Sequence, residues 1–287
     1  MKNIPVRSIK SQETTPGISE GFKIRTVSEV LAGKDMSHDL HRHDFFFVLA
    51  LKKGTGSHEI DFIPHPVSDD SIFFIHPGQV HRLILKAGSE GYLMEFGKDF
   101  LSSGDNSKRD LLRKAANQSF CQLEASGSGK LQMILASVFE EYRNKQEGYY
   151  EAIQANLAIF FIELVRQRQN KESQKDTFSK YAQERLQEFL ELLETDIRTH
   201  KQVAHYADKL NLSPFQLNSI TKKLLGKTAG ELIDDHILLE SKRYLLATSN
   251  QVNQIAYQLG YEDVSYFIRF FKKHTGHTPE MFRQNLQ

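Results

Sequence analysis

Apolar and polar residues alternate in short runs between Phe22 and Phe96. The runs are rich in Phe, Ile, Leu and Val, and Gly, Pro, Asp or Lys residues separate them. This pattern predicts six strands, at residues 23–30, 45–51, 56–63, 71–75, 81–85 and 92–96. Short strands at regular spacing are typical of a small antiparallel barrel or jelly roll. Residues 1 to about 20 are polar and irregular, and we expect a loose arm or an edge segment there.

After residue 96 the apolar residues recur at helical spacing. Helices are predicted near 110–116, from a turn at Ser126–Gly129 to about Asn144, and over about 150–169. The last helix is apolar over much of its surface, so it needs cover on more than one side. Part of it can pack on the barrel, and the rest can pair with the same helix of a second subunit in a homodimer. Burial within a single subunit explains the same pattern nearly as well.

A polar, charged stretch then divides the chain. Residues 169–180 contain few apolar side chains and are predicted to be a linker. The predicted domains are therefore residues 1–168 and residues 181–287, and the fold class is α+β. The second domain opens on a predicted helix over about 181–195, whose buried stripe is Leu186, Phe189, Leu190 and Leu193.

The stretch from Gln254 to Met281 predicts a helix, a tight turn and a second helix. Gly260 supplies a residue that adopts positive φ without strain, which ends the first helix. Asp263 is a favourable N-cap for the second helix, which runs towards Gly276. The spacing places three aromatic residues on the buried side of that helix: Phe267, Phe270 and Phe271.

The same pattern occurs roughly fifty residues upstream, so it is an internal repeat. Asn211 stands where the later copy has Gly260, and asparagine tolerates a left-handed turn better than most residues. Ser213 caps the second helix of this copy, and the later copy has one additional residue in its turn. The other matched pairs are Ala207 with Ala256, Leu210 with Leu259 and Leu212 with Tyr261. The predicted core side of the upstream second helix is Leu217, Ile220 and Leu224.

Composition sets broad limits on the class of protein. The chain has 287 residues, which suggests two domains, and its 37 basic and 36 acidic residues nearly balance. The overall charge therefore does not indicate nucleic acid, although lysines and arginines cluster within the repeats. A single cysteine, Cys121, excludes an internal disulfide framework and fits a reducing cytoplasm. No apolar run is long enough to span a membrane and no signal peptide is evident, so we expect a cytoplasmic protein.

The repeat, with Leu259-Gly260-Tyr261 and Gly276-His277-Thr278-Pro279, resembles the DNA-binding domain of the AraC/XylS family of bacterial transcription regulators. The resemblance implies two helix-turn-helix units joined by a long helix at about 229–247. It implies base contacts from the first reading helix at Phe215, Asn218 and Ser219. In the second reading helix it implies base contacts at Val264, Ser265, Ile268 and Arg269. The lysines expected at phosphates are Lys222, Lys223, Lys272 and Lys273. Many family members have arginine where this chain has Ser219, and an arginine there could form two hydrogen bonds with guanine. With serine at this position, we expect adenine recognition by Asn218 instead.

The N-terminal half, through His41-Arg42-His43 and His76-Pro77-Gly78-Gln79-Val80-His81, resembles the cupin-type sensor domain of many AraC-type regulators. His41, His43 and His81 resemble three metal-ligand positions of catalytic cupins, and Phe47 stands where those enzymes usually carry a glutamate. We expect no metal and no other cofactor, because the missing carboxylate removes a ligand and its charge. The expected effector-binding residues are His41, His43, Phe47, Phe74 and His81.

These features predict an effector-responsive regulator that binds double-stranded promoter DNA and a small-molecule effector. The family resemblance favours an activator that contacts RNA polymerase and forms a homodimer. The competing class is a cupin-type metal-dependent enzyme with a helical appendage. A third alternative is a protein-interaction module whose helix-turn-helix units no longer bind DNA.

Overall fold

The computed structural model of the chain describes residues 6–7, 21–97, 100, 106–172 and 178–285. The chain divides between residues 173 and 174 into two compact units. This division falls inside the predicted linker, 169–180. Residues 169–172 continue a helix, residues 178–180 begin the next one, and 173–177 lie outside the described residues. The linker therefore stays a prediction.

The first unit contains two five-stranded sheets that form a β-barrel-like sandwich. The strands are β1 Val6–Arg7, β2 Phe22–Thr26, β3 Met36–His43, β4 Phe46–Lys53, β5 Gly56–Ile60, β6 Ile63–Val67, β7 Ser71–Ile75, β8 Val80–Leu85, β9 Glu90–Phe96 and β10 Phe120–Gln122. One sheet has the order β1-β3-β8-β5-β6, and the other has the order β10-β7-β4-β9-β2. Except for the parallel β1–β3 pair, neighbouring strands are antiparallel, which confirms the predicted architecture.

Several strand boundaries differ from the predictions for local reasons. The predicted strand 23–30 ends at Thr26, whose side chain caps helix α1, Val27–Leu31, in a capping box with Glu29. The predicted strand 56–63 breaks at Asp61 and Phe62, which adopt φ of 48° and 69°. The predicted arm lies outside the described residues except for 6–7, which form β1.

The longer helices described in the first unit are α2 Asn106–Ala116, α3 Ala125–Asn144 and α4 Tyr149–Glu172. Residues 126–129, predicted as a turn, lie inside α3 instead, because the helix already begins at Ala125. Leu157, Phe160 and Phe161 of α4 are fully buried and belong to a core shared with the outer face of the second sheet. Ile159 and Ile162 of the same helix remain exposed.

The second unit is all-helical. Its helices are α5 Phe178–Asp196, α6 Val203–Lys209, α7 Pro214–Leu225, α8 Ala229–Ala247, α9 Val252–Gln258, α10 Val264–Thr275 and α11 Pro279–Asn285. One apolar core joins them, with Phe189, Leu217, Phe267 and Phe271 at its centre. The long helix α8 begins at a capping box between Thr228 and Glu231. Helices α6–α7 and α9–α10 are the two predicted helix-turn-helix units, and α8 connects them.

Candidate nucleic-acid interface and ligand cavity

The two helix-turn-helix units repeat the same hydrogen bond in their turns. The Leu212 amide donates to the Ala207 carbonyl at 2.9 Å, and the Tyr261 amide donates to the Ala256 carbonyl at 2.9 Å. The turn residue before each amide is left-handed, with φ of 54° at Asn211 and 73° at Gly260. Five residues separate α9 from α10 and four separate α6 from α7, as the sequence alignment of the copies predicted.

Gly260 has almost no space for a side chain. A Cβ at this position would lie 1.6 Å from the Arg198 carbonyl oxygen, which follows helix α5. The Gly260 carbonyl also accepts a hydrogen bond from Lys201 Nζ at 2.9 Å. The second turn is therefore packed directly against the segment that follows α5.

Helix α7, the second helix of the upstream helix-turn-helix, presents a polar outer face. Ser213 and Gln216 form a capping box at its start, and Leu217 and Ile220 are buried. Phe215 is 82% exposed, which is the largest exposure among the hydrophobic side chains of the described residues. Ser219, Lys222 and Lys223 are also exposed, so the predicted contact face is accessible.

Asn218 differs from its neighbours on α7. Its side chain is half-buried, and Oδ1 accepts a hydrogen bond from the Ala229 amide at 2.9 Å. A bidentate contact with adenine needs both the amide oxygen and the amide nitrogen of asparagine. That contact would require the bond to Ala229 to break, so Asn218 holds the start of α8 in this arrangement.

Helix α10, the second helix of the downstream helix-turn-helix, likewise has one buried face and one exposed face. Asp263 caps it by accepting from the Ser265 amide at 2.7 Å, while Phe267 and Phe271 are buried. Phe270, predicted to be buried, is only partly buried at the edge of the core, with its ring 4.6 Å from that of His274. The exposed residues of the predicted contact face are Ser265, Arg269, Lys272 and Lys273, whereas Val264 and Ile268 are half-buried against the core.

One exposed aromatic residue on this face was missed. Tyr266 is 56% exposed and precedes Arg269 by three residues, so the two side chains share one face of α10. This helical spacing was available in the sequence as a signal. Arg269 forms a 3.7 Å ion pair with Asp263 at the surface, and its side chain remains largely exposed.

The first unit contains a cavity of about 720 Å³ whose lining includes residues of β2, β3 and α1. Its apolar lining includes Leu31, Phe45, Phe47, Leu83 and Leu93. Its charged lining comprises the cations Arg7, Lys23, Arg25 and Lys34 and the carboxylates Asp35 and Glu95. Arg25 pairs with Glu95 at 3.5 Å, and Asp35 pairs with Lys86 at 2.8 Å. The cavity therefore combines an apolar interior with a surplus of positive charge.

The three histidines predicted from the sequence lie together beside this cavity. His41 and His43 line it, and each histidine of the set is at most 3% exposed. His43 Nε2 lies 2.7 Å from His81 Nε2, and His41 Nδ1 lies 2.7 Å from the Asp39 carbonyl oxygen. Strand β8 pairs with β3 so that His41 lies opposite His81, which brings the residues together.

A fourth histidine, His58, was missed by the sequence analysis. It lies on β5, fully buried, and its Nε2 is 2.8 Å from His81 Nδ1. Burial lowers the pKa of His41 to about 4 and the pKa values of His43 and His58 to about 3, and it also lowers the pKa of His81. All four imidazoles are therefore neutral at pH 7.

Phe74, one of the expected effector-binding residues, does not line the cavity and lies outside the barrel interior. Phe73 and Ile75 point into the barrel, so alternation along β7 turns Phe74 outward. Phe74 packs between the sheet and α4, with its ring 5.7 Å from that of Phe161. Phe47, by contrast, lines the cavity and stacks on His43 with ring centroids 5.5 Å apart.

A second group of possible metal ligands lies in the helical unit, at Asp196, His200 and His205. One carboxylate oxygen of Asp196 already bonds His205 Nε2 at 2.8 Å and Lys209 Nζ at 2.7 Å. The lysine ammonium occupies the position at which a cation would approach.

Two family models match this chain. A model of the AraC-like ligand binding domain matches residues 30–157, and a model of a helix-turn-helix domain matches residues 206–285. The matches coincide with the unit that contains the cavity and with the tandem helical repeat. Within the described part of the chain, no helix combines the length and apolarity needed to cross a membrane.

Curated relatives carry related names. The chain is 25% identical over 256 residues to the transcriptional activator RhaS of Pectobacterium carotovorum, covering 85% of this chain and 86% of that protein. It is 38% identical over 78 residues to the bifunctional transcriptional activator/DNA repair enzyme AdaA of Bacillus subtilis, covering 27% of this chain and 37% of that protein. Among solved structures, ToxT of Vibrio cholerae is 16% identical, with a TM-score of 0.43 over 91% of this chain and 96% of that chain.

A ligand-binding barrel followed by a tandem helix-turn-helix unit defines a DNA-binding transcription regulator with a small-molecule effector domain. The chain belongs to the AraC/XylS family of such regulators.

Proposed function

We propose that this regulator is a transcription activator that reads promoter DNA with α7 and α10 and responds to an effector bound in the barrel cavity. The observation that carries the DNA-binding proposal is the repeated turn bond, which presents the outer face of each second helix to solvent. Two such helices suit consecutive major grooves of one duplex. The printed name of RhaS supports activation, and we extend the proposal to contact with RNA polymerase in the cytoplasm.

Within the interface, Arg269 is proposed to read a base and the lysines are proposed to contact phosphates. Arginine forms two hydrogen bonds with guanine in the major groove, whereas lysines near the helix ends neutralise the backbone. Phe215, Val264 and Ile268 are proposed to contact thymine methyl groups, and Ser219 and Ser265 are proposed to make polar base contacts. Asn218 is the weakest member of the set, because Ala229 occupies its side-chain oxygen.

Arg269→Ala is expected to weaken binding to the preferred operator by about 1–3 kcal/mol and to relax sequence preference. Lys272→Ala, one turn further along the same helix, should weaken preferred and unrelated sequences alike and reduce the salt slope by about one. Gel-shift titrations against the region upstream of the protein's own gene, at several salt concentrations, measure both effects. Unchanged retardation by both variants would show that α10 does not form the interface.

For the effector, the cavity favours a small molecule with an apolar body and an anionic group. Leu83, Leu93 and Phe45 offer the apolar surface. Lys23 and Lys34 line the cavity and have no ion-pair partner among the residues that the structure describes. A buried apolar cavity with a few polar groups is typical of small-ligand sites.

Lys23→Gln is expected to weaken binding of such an acid by about 1.5–3 kcal/mol, because a charge-assisted hydrogen bond is lost. The measurement is a thermal-shift titration of the full chain with a panel of small carboxylic acids and their amides. Lys52→Gln, an exposed residue outside the cavity lining, is the matched control and should leave the shift unchanged. Equal shifts from acids and amides would exclude the anionic group from the proposal.

The proposed homodimer uses the outer face of α4. Ile159 and Ile162 are 48% and 38% exposed there, although the opposite face of the helix is fully buried. Pairing with the same helix of a second subunit would cover these side chains. The proposal includes no enzymatic reaction, since both family models describe binding domains and RhaS is named as an activator.

A further inference from the structure

The buried histidines of the barrel form a chain of imidazole contacts. His43 Nε2 contacts His81 Nε2, and His81 Nδ1 contacts His58 Nε2. At the two ends of the chain, His43 Nδ1 and His58 Nδ1 are buried and find no hydrogen-bond partner within the described residues. A neutral imidazole has one N–H donor and one acceptor nitrogen.

Counting protons shows that this chain is poorly satisfied as a purely hydrogen-bonded group. Three neutral rings bring three N–H protons, and the two contacts use two of them. In a continuous donor-to-acceptor chain, one terminal Nδ1 is then a donor without an acceptor, and the other is an acceptor without a donor. A buried polar atom without a hydrogen-bond partner destabilises the fold.

His41 adds a nitrogen lone pair to the same place. Its Nδ1 lies 2.7 Å from the Asp39 carbonyl, which can only accept, so the proton sits on Nδ1 and Nε2 keeps the lone pair. A backbone carbonyl that fixes the tautomer in this way is the usual outer partner of a metal-binding histidine. When His81 Nδ1 donates to His58 Nε2, His81 Nε2 likewise keeps its lone pair.

We propose that His41, His43 and His81 bind a divalent first-row transition metal ion, with His58 as the positioning residue of His81. Each of the three residues offers a ligand nitrogen, and these nitrogens lie within 4.8 Å of one another. Neutral imidazoles suit zinc, copper, nickel and iron ions. In the hydrogen-bonded chain His43 Nε2 carries the proton that faces His81 Nε2, so ligation through His43 Nε2 would place that proton on the unpartnered His43 Nδ1.

The absence of a carboxylate at Phe47 led us to expect no metal, but a carboxylate ligand is not required at every zinc site. Three histidines without a carboxylate are sufficient ligands for zinc when a water molecule completes the coordination. Phe47 instead stacks on His43 with an interplanar angle of 3°, which restricts the orientation of that ring. Because His41 and His43 line the cavity, a metal ion held by them would be accessible to water or to an anionic ligand in the cavity.

The test is cobalt binding by the full chain, prepared without a polyhistidine tag and stripped with a chelator. Titration with Co²⁺ should give one ion per chain by elemental analysis, visible ligand-field absorption, and a higher melting temperature than the stripped protein. His43→Gln and His81→Gln should abolish stoichiometric binding. His58→Gln should weaken binding roughly 10–100-fold and shift the absorption bands, since the His81 ring loses its partner.

His200→Ala is the matched control, because it removes a ligand from the other histidine cluster and leaves the barrel intact. It should bind cobalt as the wild type does. The proposal is overturned if wild-type protein binds less than a small fraction of an ion per chain, a result that requires no variant to fold. It is equally overturned if His43→Gln and His81→Gln retain full binding, or if His200→Ala alone loses it.

Discussion

Gly260→Ala is expected to unfold the helical unit at much lower denaturant concentration and to abolish DNA retardation. The added Cβ would meet the Arg198 carbonyl oxygen at 1.6 Å, so the turn or the segment after α5 must move. Left-handed φ at alanine and forced repacking together cost roughly 3–5 kcal/mol. Circular dichroism during urea unfolding measures the loss, with the transition of the barrel unit as an internal reference.

Gly226→Ala separates the clash from the backbone conformation. Gly226 ends α7 with the same φ of 73°, but a Cβ there would meet nothing within 4 Å. It should therefore cost only about 1–2 kcal/mol, the strain of a left-handed alanine. Equal losses of unfolding free energy from the two variants would show that the close approach of the added Cβ to the Arg198 carbonyl costs nothing.

The contrast between Gly260 and Asn211 shows why the repeat was visible in the sequence. Both turn residues need a left-handed conformation, and glycine and asparagine are the residues that adopt it most readily. The second helix of each pair begins at a side-chain cap, Ser213 or Asp263, and its apolar residues recur at helical spacing, which are also local signals. The sequence could not show that Gly260 lies against another backbone segment, because Arg198 is more than sixty residues away.

In the barrel unit, the missed elements are those whose burial depends on distant strands. Strand β6, Ile63–Val67, contains two prolines and is mostly exposed, so its sequence resembles a loop. Strand β3 is polar along most of its length and was also missed. His58 stands in the polar run Gly56–Ile60, and only the pairing of β5 with β8 places it next to His81.

Asn218 illustrates the same limit in the helical unit. Its position on the outer side of α7 correctly follows from helical spacing, and the residue type suits adenine. Its half-burial and its bond to Ala229 depend on how α8 begins, eleven residues later. Helical periodicity therefore located the face, but the partners of individual side chains required the three-dimensional arrangement.

Phe74→Ala is expected to destabilise the barrel unit by about 3–5 kcal/mol and to leave the cavity chemistry unchanged. Phe74 is fully buried between the second sheet and α4, where its ring contacts those of Phe46 and Phe161. Truncation leaves a void that these neighbours cannot fill without shifting. Urea unfolding followed by circular dichroism measures the loss, because the chain contains no tryptophan for fluorescence.

Phe47→Ala provides the comparison, since this ring lies on the cavity side of the barrel and stacks on His43. It should change cobalt absorption and the thermal shift produced by carboxylic acids, because it alters the wall of the cavity and releases the His43 ring. Phe74→Ala should alter neither response below its own unfolding transition. If Phe74→Ala changed ligand binding as strongly as Phe47→Ala, the packed layer between sheet and helix would have to be coupled to the cavity. Phe47 and Phe74 lie on opposite faces of the second sheet, so we expect Phe74→Ala to leave ligand binding in the cavity unchanged.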